Sequence, residues 1–132
     1  MTMTQLIYHS QPFGFDSGVL AGILSQARRN NTRNGLTGAL IARGDLYLQL
    51  LEGPTDAVTA CFAKIVRDNR HLDVKCVSDR IITERLFPAW TMRDDQVPSW
   101  LWNANEVAAG AVEKAAPGIV LEAFQRLAKT SG

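Results

Sequence analysis

Apolar residues change their spacing several times along the chain, and each change marks a candidate element. Residues 4–10, TQLIYHS, form a short run rich in β-formers that stops at Pro12-Phe13-Gly14, which predicts a strand. From Asp16 or Ser17, either a good N-cap, Val19, Leu20, Ile23, Leu24 and Ala27 recur at helical spacing, and Asn34-Gly35 supplies a left-handed C-terminal cap. LTGALIA (36–42) and DLYLQLLE (45–52) are two strand-like runs parted by Arg43-Gly44, the pattern of a hairpin. Gly53-Pro54 ends the second run, with Pro54 suited to the first turn of a helix marked by Val58, Cys61, Phe62, Ile65 and Val66. After Asp68-Asn69-Arg70-His71, the run VKCVSDRIITERLFPAWTM predicts one or two more strands with a break near Phe87-Pro88.

The order β-α-β-β-α-β(-β) is that of a split βαβ, an α+β ferredoxin-like sandwich with a mixed four- or five-stranded sheet. Right-handed crossovers put both helices on one face of that sheet. From about Pro98 the character changes to an aromatic knot at Trp100 and Trp102, a run of small residues, a break at Pro117-Gly118, and a stripe of Val120, Phe124 and Leu127. We read residues 1–95 as the main domain and 96–132 as an appendage of two short helices. In the third strand Tyr47, Gln49 and Leu51 point one way and Leu46, Leu48 and Leu50 the other. Two helices cover only one face, so the C-terminal helices or a second chain must cover the other, and a homo-oligomer is expected.

Gln49 is the residue this pattern does not absorb. A primary amide carries donors and acceptors, and burying such a group unsatisfied costs about 1–3 kcal/mol. If the two central strands lie side by side, Tyr8 meets Gln49, and a phenol that both donates and accepts satisfies part of each group. The bland reading is a satisfied core pair. Asn31 argues for more: it continues the stripe of Leu20, Leu24 and Ala27, placing a second amide on the apolar side of the first helix. Two amides and a phenol converging beneath two helices suit a planar, hydrogen-bonding ligand.

Charge narrows the partners. Fourteen Lys+Arg against thirteen Asp+Glu give a net charge of +1, with no broad field for nucleic acid or an anionic membrane. Arg28, Arg29 and Arg33 form a local basic cluster large enough for a phosphate. No run approaches the roughly 20 apolar residues that span a bilayer, and no signal sequence opens the chain, so a cytoplasmic protein is expected. Cys61 and Cys76 lack metal-ligand spacing and read as two buried thiols.

LIYHS, NNTRNGLTG, YLQLLEGP, RDNRH and FPAWTM, in this order and at these separations, resemble the BLUF family, blue-light sensors that use a flavin. The resemblance runs from Gln5 to Met92, and the last forty or so residues lie outside it. It implies a flavin held between the two helices above the sheet, with FAD expected and FMN or riboflavin as alternatives. Asn31, with Asn30 beside it, matches the amide at the ring's pyrimidine edge. Ile23 and Ile65 match the apolar residues that sandwich the ring, and Asp68, Arg70 and His71 match residues near its edge and ribityl chain. In the family, light drives an electron and then a proton from the residue matching Tyr8 to the flavin, the residue matching Gln49 rearranges its hydrogen bonds, and the flavin recovers oxidised with a red-shifted spectrum. Trp90 and Met92 match residues near the flavin that carry the signal onward.

Each assignment has a plainer counterpart. Asn30 and Asn31 are ordinary at a helix terminus, a cationic His71 is favourable after a helix, and Trp90 and Met92 are common packing residues. No fused cyclase or phosphodiesterase follows, so the expectation is a photoreceptor, not an enzyme, that signals by binding a separate effector protein. Two other classes compete. A flavin-dependent redox enzyme on a similar scaffold lacks a Cys-x-x-Cys or nicotinamide-binding glycine loop. A cofactor-free interaction or RNA-binding module lacks the aromatic strand motif and basic sheet face of RNA-recognition domains.

Overall fold

The computed structural model describes residues 2–12, 17–43, 46–67, 71–87, 93–95, 110, 114 and 116–130. The elements are β1 (Met3–Pro12), α1 (Ser17–Asn34), β2 (Thr37–Arg43), β3 (Leu46–Pro54), α2 (Thr55–Val66), β4 (His71–Ile82), β5 (Arg93–Asp95) and α3 (Pro117–Thr130). They form one five-stranded sheet in the order β4-β1-β3-β2-β5. The β1/β3, β1/β4 and β2/β3 pairs are antiparallel and β2/β5 is parallel, so the sheet is mixed. This is the ferredoxin-like arrangement expected from the sequence, with β1 and β3 at its centre.

Local chemistry fixes the ends of the helices. Gly35 at φ 71° closes α1, and the Leu36 amide donates to the Asn31 carbonyl at 2.9 Å, the six-to-one bond of a Schellman cap. α2 begins one residue later than the sequence suggested. Pro54 is extended (φ −54°, ψ 135°) and serves as the N-cap residue, because it still belongs to β3. The Thr4 and Thr55 hydroxyls share a hydrogen bond at 2.8 Å, and the Thr55 amide donates to the Thr2 carbonyl at 3.2 Å. The start of α2 is thereby tied to the outer end of β1.

Both faces of the sheet are buried, by different partners. Leu6, Tyr8, Leu40, Tyr47 and Leu51 pack with Ala27 of α1 and with Val58, Cys61, Phe62 and Ile65 of α2. On the other face Ile7, Ala39, Ile41, Leu46, Leu48 and Leu50 pack with Phe87 and with Val120 and Phe124 of α3. The parity read along β3 is therefore correct, and α3 answers what covers its second face. No second chain is needed for that burial. Among the described residues the C-terminal segment holds one helix, α3.

β4 carries two irregularities that sequence periodicity did not announce. The register steps from Ile7↔Ser78 to Tyr8↔Cys76, leaving Val77 as an extra residue, and again from His9↔Lys75 to Gln11↔Leu72. Within the second step Asp73 adopts φ 50°, the left-handed region that aspartate tolerates better than most residues. The cysteines depart from expectation as well. Cys61 is half-buried, and Cys76, opposite Tyr8 on the outer strand β4, is exposed. Both are free thiols.

Candidate functional site

The middle of the sheet brings two predicted residues together. Tyr8 on β1 lies directly opposite Gln49 on β3 in the antiparallel register. Cross-strand neighbours on one face hold their Cβ atoms about 5 Å apart, within reach of a phenol and an amide. The Tyr8 hydroxyl donates to Gln49 Oε1, both side chains being buried. Gln49 is flanked on its other side by Leu40 of β2, so it occupies the central strand with a ladder on each side.

Helix side chains enclose the pair. The Phe62 ring of α2 stands 5.4 Å from the Tyr8 ring, tilted by 52°. Such aromatic pairs favour offset or tilted geometry and fix ring orientation beyond simple burial. Ile65, one turn further along α2, packs into the same cluster half-buried. Asn31 is buried to 1% exposure on α1, whereas its neighbour Asn30 is only half-buried. Of the two, the inward amide is the one that continues the helical stripe, and the Schellman cap fixes where α1 presents it.

Other predicted residues are placed only in part or not at all. Ile23 lies within α1, and His71 opens β4 opposite Pro12 rather than trailing a helix. The side chains of both, and all of Asp68, Arg70, Trp90 and Met92, lie outside the described residues.

Burial pushes the Cys61 thiol above its ordinary range, with the nearby Lys64 charge opposing it weakly. For Cys76 burial acts first and the Asp79 carboxylate second, both in the same upward direction. Neither thiol is therefore poised as a nucleophile at neutral pH. Among the described residues no group of His, Cys, Asp and Glu is arranged to hold a metal ion.

With this geometry in place, comparison with known proteins is decisive. The sequence model of a family described as sensors of blue-light using FAD, BLUF, matches residues 3–93. The chain belongs to the BLUF family. It is 39% identical over 93 residues to the photoactivated adenylate cyclase subunit beta of Euglena gracilis, a match covering 69% of this chain and 11% of that protein. The chain thus spans about a tenth of the length of such relatives from Euglena. Among solved structures it resembles the dark state of BlrB, a BLUF protein, with a TM-score of 0.82, 28% identity and 98% of each chain covered. A bacterial light-regulated adenylyl cyclase gives a TM-score of 0.74 at 27% identity, covering 91% of this chain and 36% of that one. In fold and family this is a flavin-using blue-light sensor domain.

The buried groups suit a flavin. Its pyrimidine edge alternates donors and acceptors, and an amide offers both. Gln49 and Asn31 are buried amides on β3 and α1, with apolar α2 residues beside Tyr8 to meet an aromatic ring.

Sequence reasoning overlooked a second polar cluster. Gln5, Glu52, Arg80 and Arg85 are joined to one another or to nearby backbone by hydrogen bonds, and Glu52 is fully buried. The same parity rule that exposed Gln49 would have found Glu52, a carboxylate two residues from Leu50 on the second apolar face.

Proposed function

We propose that this chain is a blue-light receptor in which Tyr8 and Gln49 are the photoactive pair and signalling passes to a separate effector protein. The single observation that carries the reading is the buried Tyr8–Gln49 hydrogen bond at the centre of a BLUF sheet. Asn31, assisted by Asn30, holds the pyrimidine edge, and Ile23 and Ile65 flank the ring. Asp68, Arg70 and His71 serve its edge and ribityl chain, and Trp90 and Met92 carry the signal onward. FAD is the expected flavin, as the family description names it. When bound, it supplies absorption of blue light and an excited state able to accept an electron.

The chain's own residues define the switch. Tyr8 is the source of the electron and of the phenolic proton. In the present arrangement Gln49 Oε1 accepts from that phenol, which commits Nε2 to donate elsewhere. If the amide turns over or changes tautomer, the group facing Tyr8 becomes a donor, and the phenol oxygen must accept. Two hydrogen-bond patterns on one heavy-atom framework constitute a two-state element that light can bias.

Output follows from placement. Residues 1–95 form the flavin-binding unit and 96–132 the segment that meets the effector; support comes from the family match, which ends at 93, and from α3 packing on the opposite face. By this reading the chain itself performs no enzymatic step, and the cyclase activity named for its relatives belongs to the larger part of those proteins outside the match. Self-association rests on exposed apolar residues, Ile119 on α3 at 52% and Ile81 on the outer strand β4 at 72%. Among the described residues no helix is long and apolar enough to cross a membrane, and a cytoplasmic location is part of the proposal. The test is an absorption spectrum of the purified protein: flavin bands that shift red under blue light and revert in the dark are expected. A protein that takes up no flavin refutes the reading.

A further inference from the structure

Two buried polar pairs bridge β1 and β3, one on each face of the sheet. Tyr8 faces Gln49 beneath α1 and α2, and three residues away in the same register Gln5 faces Glu52 on the α3 side. The Glu52 carboxylate is fully buried and accepts three hydrogen bonds. Gln5 Nε2 donates to Oε2 at 2.9 Å, the Leu86 amide donates to Oε2 at 2.8 Å, and the Phe87 amide donates to Oε1 at 2.9 Å. Gln5 is itself held by Arg80, whose Nε donates to its Oε1 at 2.9 Å.

The two amides that Glu52 holds belong to the segment between β4 and β5. Its inward residue is firmly placed: Phe87 is 1% exposed and meets Phe124 of α3 edge-on, ring centroids 6.4 Å apart at 87°. The same segment is tied to the end of α1 and the start of β2 by Arg85. Its Nη2 donates to the Gly35 carbonyl in the cap of α1 at 2.8 Å, and its Nη1 donates to Thr37 Oγ1 at 3.0 Å. One short segment thus touches the end of the helix that carries Asn31, the strand that carries Gln49, and the helix on the opposite face.

We propose that Glu52 is a positioning residue that couples the hydrogen-bond state of Gln49 to α3 through Phe87. The proposal rests on the reading of Gln49 as the switching residue. Charge-assisted hydrogen bonds to a buried carboxylate are short and directional, so a small displacement of β3 carries the Leu86 and Phe87 amides with it. A packed aromatic contact does not deform continuously, and the Phe124 ring must follow or repack.

The full chain loaded with FAD is compared with Glu52→Gln and Phe87→Leu by light-minus-dark absorption and by hydrogen–deuterium exchange over 117–130. In the wild-type protein the red shift is accompanied by a change of exchange in α3. In both variants the red shift keeps its wild-type amplitude while the light-minus-dark exchange difference in α3 falls at least fivefold. A purely structural role would raise exchange equally in light and dark and leave that difference intact. If Glu52→Gln does not fold, Phe87→Leu decides by the same criterion. The inference is overturned if α3 shows no light response in a wild-type protein that does shift red, or if either folded variant retains the full response. Absence of the red shift in the wild type is a different result, which refutes the proposed function itself.

Discussion

At the residue scale, two cross-strand pairs seat polar groups in the core, Tyr8 with Gln49 and Gln5 with Glu52. Tyr8, Gln49 and Asn31 are legible in the sequence because period-two and period-3.6 spacing assigns a face to every residue, and a polar residue on an apolar face stands out. Glu52 obeys the same rule on the second face, where its place at the end of a strand-like run makes it resemble a solvent-facing terminus. Cys76 departs from expectation for a different reason: a reducing compartment predicts a free thiol but not its burial, and Cys76 lies on an edge strand. Asn31→Ala is expected to weaken flavin binding about tenfold, the consequence of losing roughly 1.4 kcal/mol in hydrogen bonding, with the fold kept. Fluorimetric titration with FAD measures this. Burial, joined at Cys76 by the Asp79 carboxylate, holds both thiols above the ordinary range, so the thiolate fraction at neutral pH is small and alkylation speeds up steadily as pH rises toward that range. Mass spectrometry of maleimide-treated protein should show Cys76, the exposed thiol, labelled before Cys61 at every pH.

At the element scale, close approach of backbones sets which substitutions the sheet tolerates. A Cβ added at Gly38 would collide with the Leu50 carbonyl oxygen on the neighbouring strand, which no rotamer relieves. Gly38→Ala should therefore force β2 from β3 and destabilise by about 1–3 kcal/mol, read as a lowered urea midpoint. Phe124→Ala removes the ring that meets Phe87 and should cost about 3–5 kcal/mol by the same measurement. Helices α1 and α2 and strands β1 to β4 are readable from spacing, capping and turn residues to within a few positions. The identity of the cover on the second face is not, because an amphipathic stripe states that a helix is buried without naming what buries it. Pairing of β5 with β2 is equally silent in the sequence, since a three-residue parallel strand carries no pattern of its own.

At the scale of the whole molecule, the sheet separates two sets of buried contacts. One face holds the amides and phenol that suit a flavin, and the other holds the aromatic contacts of α3, with β1 and β3 common to both. The motifs alone point to the family, whereas the different cover of the two faces emerges only from the strand register and the packing of α3. The central claim is that Gln49 is buried because its hydrogen bonds are what light changes, with Tyr8 as the donor that drives the change. Light-minus-dark absorption spectra of FAD-loaded wild type, Tyr8→Phe and Gln49→Leu test it most directly. A reversible red shift is predicted in the wild type and none in either variant, although both still bind flavin. A normal red shift in Tyr8→Phe or in Gln49→Leu would contradict the claim.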